Sequence, residues 1–312
     1  MALIVGFVIA VVAVPVAARL ARRLGIVDSP GFLKVQTDPV PYLGGAAVFI
    51  ALAVPVAVTR PLLLLPLGLS LALGLADDLN APTPATRLIV EAVIGAVAGW
   101  IVPAPSPLGG VITAVLVVGL LNAVNLLDGL DGLAGCVGLV SAVGFALVLE
   151  GDARVLALAL AGSLAGFLIW NRPPARVYLG DAGSYLIGTA LAMLLALTFD
   201  EGGTLAMSSG AVLFVAVPVA DTAVAIVRRR RAGRALLRGD RGHVYDQLVD
   251  KGWNSISVVA ACVALQGLLV GIGIAISHLP SGLAVGVTAA VIGTVGTLFF
   301  VAFTTPGTWK AR

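Results

Sequence analysis

Acidic residues are scarce in this 312-residue chain, and the most distinctive of them stand in three short polar clusters. The clusters are Asp77-Asp78, the stretch 122–131 and the stretch 180–184. Each adjoins a long apolar segment, and an ionised side chain inside a bilayer costs on the order of 3 kcal/mol, so such clusters mark functional sites. Carboxylate oxygens suit Mg²⁺, which binds through one or two carboxylates together with substrate phosphate. The clusters therefore predict metal-assisted chemistry on a phosphate-containing substrate.

The stretch 122–131 places Asn122, Asn125 and Asp128 three residues apart, so on a helix they share one face, and Asp131 continues the row. Two amides and two acids below an apolar segment could bind a sugar, the edge of a nucleobase or a metal ion. The simpler interpretation is an N-cap for a helix that starts near Asp131. Capping needs one such residue rather than four, so we favour a binding function.

The stretch 180–184 begins a further apolar segment. Its glycines allow a ligand to approach closely, and free N–H groups at a helix start favour phosphate or another anion. Because Asp181 would repel a phosphate, the pattern indicates a cation, again Mg²⁺, between carboxylate and phosphate. The alternatives are that Asp181 is a simple N-cap and that Asp77-Asp78 is a solvated helix end.

Two further polar groups lie in the C-terminal part of the chain. Asp221 falls inside an apolar segment and needs a partner, for which Arg228, seven residues on and on the same face, is one candidate. The run of four arginines at 228–231 is most simply an anchor that sets topology and holds anionic lipid headgroups. In the loop that follows, Arg241 and His243 are suited to phosphate oxygens, with a solvated loop as the alternative.

The composition indicates which elements position these residues. Hydrophobic residues make up 59% of the chain and charged residues 11%, whereas a soluble protein carries about 25% charged residues. We predict an all-α fold, a polytopic integral membrane bundle of about 11 transmembrane helices, since roughly 20 apolar residues cross a bilayer as a helix. No linker is long enough to separate domains, so residues 1–312 are expected to form one transmembrane domain. The predicted spans are 2–19, 43–59, 61–76, 87–103, 108–125, 132–149, 154–170, 183–198, 207–227, 255–277 and 281–303.

The basic residues predict the orientation of the spans. All but two of the 19 Lys and Arg residues lie in loops after odd-numbered spans or in the C-terminal tail, and the exceptions are Arg60 and Arg154. By the positive-inside rule the N-terminus is outside and the loops after odd-numbered spans are cytoplasmic. The three acidic clusters then all fall on the cytoplasmic side.

In conjunction, these motifs resemble a known family, the polyprenyl-phosphate N-acetylhexosamine-1-phosphate transferases of glycosyltransferase family 4. The resemblance runs in family order from Asp28-Ser-Pro30 to the segment 240–245. Members are multi-pass plasma-membrane enzymes that transfer a sugar 1-phosphate from a UDP-activated amino sugar to a lipid phosphate, usually undecaprenyl phosphate, and release UMP. The resemblance implies this reaction, with its active site facing the cytoplasm, as the first membrane step of cell-surface glycan synthesis.

Residue by residue, the resemblance implies roles for the motif positions. The residues with implied catalytic roles are Asp77, Asp78, Asp128, Asp181 and His243. The implied ligands of Mg²⁺, or of Mn²⁺ in its place, are Asp181, Asp77 and Asp128. Substrate binding falls to Lys34, Asn122, Asn125, Asp131, Asn171, Tyr178, Gly180 and Arg241. Within the second group Tyr178 would stack on uracil, and Lys34 and Asp131 would help to hold uridine. Asp78 would orient or deprotonate the lipid phosphate.

The chain departs from the family pattern at three positions. Ala81 stands where many members have a third acid, Gln36 where a histidine is frequent, and Tyr245 where a further histidine is common. These departures argue against the branch that uses UDP-MurNAc-pentapeptide and leave UDP-GlcNAc and related amino sugars. The implied partners are the UDP-amino sugar, a polyprenyl phosphate and the bilayer. No nucleic acid is expected, and a homodimer is left open.

An ion-coupled membrane transporter is the alternative, because intramembrane acids such as Asp221 also mark ion paths. A carrier would place its polar groups near the midplane and open to both faces in turn. Here the acids cluster on one side, which favours the enzyme. An inactive scaffold paralogue is a third possibility, against which only the intact motif set argues.

Overall fold

Helices make up almost every element of the computed structural model, which describes residues 1–28, 39–80, 82–102, 106–199, 203–235 and 242–304. The helices are α1 (Ala2–Leu24), α2 (Gly44–Thr59), α3 (Leu64–Asn80, after a 3₁₀ turn at Pro61–Leu63), α4 (Pro84–Ile101), α5 (Pro107–Leu127), α6 (Leu133–Val148), α7 (Gly151–Asn171), α8 (Gly180–Leu197), α9 (Leu205–Ala211), α10 (Ala216–Arg231), α11 (Val244–Asp250), α12 (Ser255–Ser277) and α13 (Ser281–Thr304). Strands β1 (Val27–Asp28) and β2 (Val40–Pro41) form a short antiparallel pair between α1 and α2.

The predicted polytopic helical membrane fold is confirmed. Within the described ranges, nine helical segments are long and apolar enough to cross a bilayer, and two shorter apolar helices, Gly44–Thr59 and Leu133–Val148, complete the set. These segments correspond one for one to the eleven predicted spans. Several helices extend beyond the predicted limits: α1 runs to Leu24 and α8 begins at Gly180. The apolar patterns end earlier because polar residues at the helix ends belong to the helix although they do not face lipid.

Helix α8 forms the centre of the bundle, and it positions the first turn that carries Asp181. From Ala182 to Leu197 every residue of α8 is buried, whereas most other spans expose an apolar face. It packs against α2, α3 and α5. At Gly45 of α2 and Gly74 of α3 a side chain would collide with the backbone around Ala182 and Gly183, so glycine is required for this close approach.

The ninth predicted span is interrupted rather than continuous. Helix α9 passes into a 3₁₀ segment at Val212–Val215 before α10 begins. Gln266 of α12 satisfies the interrupted backbone, because its Oε1 accepts from the Val217 N–H at 3.1 Å and its Nε2 donates to the carbonyl oxygens of Leu213 (3.1 Å) and Phe214 (2.9 Å). A buried amide thus fixes the direction in which α10 leaves the break.

Candidate active site

The three acidic clusters meet in one polar pocket. Helices α3 and α5 end, and α8 begins, around a cavity of about 460 Å³. Five clustered aspartates line it, together with Asp28 from β1: Asp77, Asp78, Asp128, Asp131 and Asp181. Residues separated by more than a hundred positions in sequence are therefore neighbours in the fold.

Asp78 is bound to the start of α8. Its Oδ1 accepts from the Asp181 N–H at 2.9 Å and its Oδ2 from the Ala182 N–H at 3.2 Å. Gly180 has φ +71°, and a Cβ there would lie 2.7 Å from Asp78 Oδ2, so glycine fits this turn. The expectation that these amide groups are free to bind phosphate is wrong, since Asp78 occupies them and supplies the negative charge that a helix N-terminus favours.

Asp77 is held on one side only. Its Oδ2 accepts from the Tyr185 hydroxyl and from Arg87 Nη1, the latter at 3.2 Å. No donor from the described part of the chain contacts Asp77 Oδ1. The side chain is largely buried and lines the pocket, so it does not form a solvated helix end.

Asp181 and Asp131 are each held in a similar way. Asn125 Nδ2 donates to Asp181 Oδ1 at 2.6 Å, and the Ala175 N–H donates to Asp131 Oδ2 at 2.9 Å. Neither acid caps a helix: the N-cap of α8 is Leu179 and that of α6 is Gly132. The N-cap interpretations of both aspartates therefore fail, and each keeps one oxygen without a donor from the described residues.

Asp128 lies just beyond α5, between the other acids. No side-chain hydrogen bond joins it to the residues that the structure describes. Burial, and then the negative charges of Asp181, Asp78 and Asp131, raise the pKa of Asp128 to about 8. This electrostatic environment is one that a bound cation would relieve.

The donor set fits Mg²⁺. It consists of carboxylate oxygens, which this ion prefers. Among the described residues no three Asp, Glu, His or Cys side chains lie close enough together to enclose a metal by themselves. An ion here would complete its shell with water or substrate oxygens, as Mg²⁺ commonly does.

All three predicted substrate-binding amides contact protein instead, Asn125 through its bonds to Asp181 and Ser184. Asn122 is absent from the pocket wall, and its Nδ2 donates to Glu91 Oε2 at 2.6 Å and to the Val118 carbonyl at 2.9 Å. Asn171 does line the pocket, but its Oδ1 accepts from Gly132 N–H and its Nδ2 donates to the Val177 carbonyl, both at 2.9 Å. It thus ties the start of α6 to the loop before α8.

One wall of the pocket is aromatic. The rings of Tyr178 and Tyr42 lie 6.2 Å apart at their centroids and are tilted by 48°. Burial, and then the charges of Asp131 and Asp28, raise the pKa of Tyr178 to about 12, so its phenol is neutral at pH 7. Burial and a hydrogen bond with Asp28 raise the pKa of Tyr42. No role was predicted for Tyr42 from the sequence, although it lies only two residues before Gly44.

His243 lies outside the pocket wall. Its Nδ1 is 2.6 Å from Asp221 Oδ2, the Val244 N–H donates to Asp221 Oδ1 at 2.6 Å, and the imidazole is only 3% exposed. Asp221 therefore pairs with His243, whereas the guanidinium of Arg228 packs against Gly242. Tyr245 stacks on the imidazole and donates to the Leu126 carbonyl at 3.1 Å. This contact joins the loop helix α11 to the end of α5 beside the pocket.

Some sequence predictions lie outside the described residues. They concern Lys34, Gln36, Ala81, Asp240 and Arg241.

An apolar groove opens on the side of the bundle. It has a volume of about 640 Å³ and is lined mainly by α5, α10 and α13. Ala123 lines the groove and Asp128 the pocket. Five residues of helix rise about 7.5 Å and turn by about 140°, so the two openings lie at similar heights on different faces around the end of α5.

Comparison with known proteins identifies relatives of this chain. The family described as glycosyl transferase family 4 matches residues 61–199, the part that carries the three clusters. A protein of Mycolicibacterium smegmatis named decaprenyl-phosphate N-acetylglucosaminephosphotransferase is 31% identical, over 75% of this chain and 71% of the relative. A Mycobacterium tuberculosis protein of the same name is 31% identical, over 80% of this chain and 75% of the relative. A Haemophilus influenzae protein named undecaprenyl-phosphate alpha-N-acetylglucosaminyl 1-phosphate transferase is 30% identical, over 80% of this chain and 81% of the relative. Because these similarities extend over most of both chains, this chain belongs to glycosyl transferase family 4.

Proposed function

We propose that this chain transfers N-acetylglucosamine 1-phosphate from UDP-N-acetylglucosamine to a polyprenyl phosphate and releases UMP, as the first membrane step of cell-surface glycan synthesis. The observation that carries the proposal is the convergence of three acidic clusters in one pocket of a chain whose relatives are named for this reaction. An oxygen of the lipid phosphate forms a bond to the β-phosphorus of the UDP-sugar. The bond from that phosphorus to the oxygen bridging the α-phosphate breaks, and UMP leaves with this oxygen.

Asp181 would hold the metal ion, with Asp77 or Asp128 as the second carboxylate and water or substrate oxygens completing the shell. Bound Mg²⁺, or Mn²⁺ in its place, would act as a Lewis acid that neutralises the diphosphate. The surrounding side chains prepare these carboxylates, since Asn125 orients Asp181 and Tyr185 orients Asp77. Asp78 holds the first turn of α8 in place, which supports a positioning role for it rather than that of a base.

The aromatic wall supports binding of the nucleotide. Tyr178 would stack on uracil, and Tyr42 stands beside it on the same wall. Asp131, oriented by the Ala175 N–H, and Lys34 would contact uridine. Arg241 would contact phosphate or sugar. His243 is buried beside Asp221 and outside the pocket wall, so we assign it no direct contact with substrate.

The apolar groove supports binding of the lipid substrate. Its lining is almost entirely hydrocarbon; α5 contributes to it, and Asp128 of the pocket directly follows that helix. A polyprenyl chain lying in the groove would place its phosphate near Asp128. The prediction that the pocket faces the cytoplasm across a plasma membrane belongs to the same proposal, with the positive-inside rule as its support.

The direct test is product formation by the purified protein in detergent. Supplied with UDP-N-acetylglucosamine, a polyprenyl phosphate and Mg²⁺, it should release UMP and form a lipid of the corresponding mass. Asp181→Ala should lower UMP release by about two to three orders of magnitude, because the metal acts on the diphosphate. Asp152→Ala, which removes an exposed carboxylate from the first turn of α7, is the matched control and should retain activity.

Two outcomes would contradict the proposal. Full UMP release by a folded Asp181→Ala variant would remove this residue from the site. Vesicles that accumulate unmodified solute and form no lipid product would favour the transporter, for which the relatives give no support.

A further inference from the structure

Glu91 is a buried carboxylate that the proposed reaction does not use. It lies on the apolar helix α4 and is only 1% exposed. A charge in such a segment is costly unless it is paired, and such residues mark functional sites. Its contacts therefore indicate what it does.

A continuous chain of contacts links Glu91 to the pocket. Asn122 Nδ2 donates to Glu91 Oε2 at 2.6 Å. Arg87 Nε lies 3.5 Å from Glu91 Oε1, one helical turn away, and Arg87 Nη1 lies 3.2 Å from Asp77 Oδ2. Arg87 is thus shared between a buried carboxylate and a carboxylate of the pocket.

The contacts of Asp77 show the effect of sharing Arg87 between the two carboxylates. Tyr185 and Arg87 both donate to the same oxygen, Oδ2. This arrangement fixes the carboxylate without using Oδ1, to which no donor from the described ranges points. The contacts therefore hold Asp77 by one oxygen while the other remains available to a ligand.

The formal charges of the three side chains also indicate that Asp77 remains available to a ligand. Asp77, Glu91 and Arg87 together leave one net negative charge, whereas Asp77 and Arg87 alone would neutralise each other. We propose that Glu91 is a positioning residue: by sharing Arg87 with Asp77 it prevents Arg87 from fully neutralising Asp77, whose one open oxygen faces the pocket. This inference rests on the proposed function, in which Asp77 helps to hold a divalent cation.

Asn122 completes this arrangement. Its amide, predicted to contact substrate, holds the Glu91 oxygen that Arg87 does not contact. The amide also donates to the Val118 carbonyl of its own helix, which limits its rotation. Asn122 therefore fixes Glu91 from α5, while Arg87 approaches along α4.

Mn²⁺ binding to the substrate-free protein, measured by paramagnetic resonance of the free ion, tests the inference without turnover. Glu91→Gln keeps the size of the side chain and removes its charge, so Arg87 should neutralise Asp77 and Mn²⁺ should bind about tenfold more weakly. Glu91→Asp retains the charge and should recover most of the affinity. Ser70→Ala is the matched control, since it removes a buried 2.7 Å hydrogen bond between α3 and α8 and should leave Mn²⁺ affinity unchanged.

A double-mutant cycle tests whether Glu91 acts through Arg87. In an Arg87→Gln background, adding Glu91→Gln should change Mn²⁺ affinity by less than about twofold, since the shared cation is gone. An equal loss with and without Arg87 would overturn the inference, as would unchanged affinity in a folded Glu91→Gln protein. If Glu91→Gln does not fold, Asn122→Ala carries the test and should weaken Mn²⁺ binding in the same direction, and wild-type affinity in that variant would overturn the inference.

The two proposals can fail separately. If the wild-type protein forms lipid product and the Glu91→Gln variant binds Mn²⁺ with wild-type affinity, only the role of Glu91 is overturned. A wild-type protein that forms no product but whose Mn²⁺ affinity depends on Glu91 would overturn the proposed reaction alone.

Discussion

The aspartates of the pocket differ in what their oxygens already contact. Both oxygens of Asp78 accept backbone N–H groups. Asp77, Asp131 and Asp181 each use one oxygen in contacts within the protein. Asp128 accepts no side-chain hydrogen bond from the described residues, and its raised pKa reflects burial first and then the neighbouring negative charges. Five residues of one type therefore have different tasks, from fixing a helix to presenting oxygens to a ligand.

Asp78→Asn should destabilise the folded protein. An amide cannot accept with both of its polar atoms, so one N–H group at the start of α8 loses its partner, at a cost of about 1–3 kcal/mol. The thermal midpoint of the purified variant in detergent should fall clearly below that of wild type. Asp128→Asn is the contrasting variant: it replaces a carboxyl whose charged form is disfavoured by burial and by its acidic neighbours, so without metal its midpoint should be unchanged or higher. Equal losses in the two variants would contradict this division of tasks.

The partners of polar side chains were the hardest feature to predict from sequence. The three-residue spacing predicted that Asn122 and Asp128 share a face, yet each step of three falls about 60° short of a full turn. Over six residues the shift is about 120°, which directs Asn122 towards Glu91 on α4 and leaves Asp128 at the pocket. In the same way, the seven-residue spacing suggested Arg228 as the partner of Asp221, whereas in the structure the partner is His243, which comes from a distant loop.

At the scale of elements, the sequence was more informative. Apolar runs predicted every membrane helix, because the bilayer requires long apolar segments wherever the chain crosses it. The interruption between α9 and α10 was not predicted, since the residues there are as apolar as their neighbours. Pro218 has no N–H to donate to the Phe214 carbonyl four residues before it, which favours a break here. What the sequence does not reveal is the tertiary contact that satisfies the break, the side chain of Gln266 on α12. Helix α11 was also missed, because it is short and lies in a polar loop.

Gln266→Met should weaken the junction between α9 and α10. Methionine fills a similar space but leaves the Val217 N–H and the carbonyl groups of Leu213 and Phe214 without this partner. Each buried unsatisfied group costs about 1–3 kcal/mol, so the thermal midpoint should fall by several degrees. Ser277→Ala, near the end of the same helix, removes only a local bond to the Ile274 carbonyl and should change little. A midpoint for Gln266→Met equal to that of Ser277→Ala would show that the amide does not stabilise the break.

At the scale of the whole molecule, the bundle has both a polar pocket and an apolar groove, and residues of α5 or just after it line each of them. This arrangement suits a reaction between a water-soluble nucleotide sugar and a lipid, because each substrate can stay in the medium that dissolves it. The acids that form the pocket come from helix ends on one side of the bundle. The basic residues of the sequence are concentrated in loops predicted for that same side.

The orientation of the bundle can be tested by cysteine labelling in intact cells. In a chain with Cys136 and Cys262 replaced by alanine, we predict that Asp152→Cys, in the first turn of α7, reacts with a membrane-impermeant maleimide. Ala232→Cys, exposed just after the arginine-rich end of α10, should react only after the membrane is permeabilised. The physical reason is the retention of Lys and Arg on the cytoplasmic side during insertion. The reverse pattern would put the pocket on the outer face, where UDP-sugars made in the cytoplasm could not reach it.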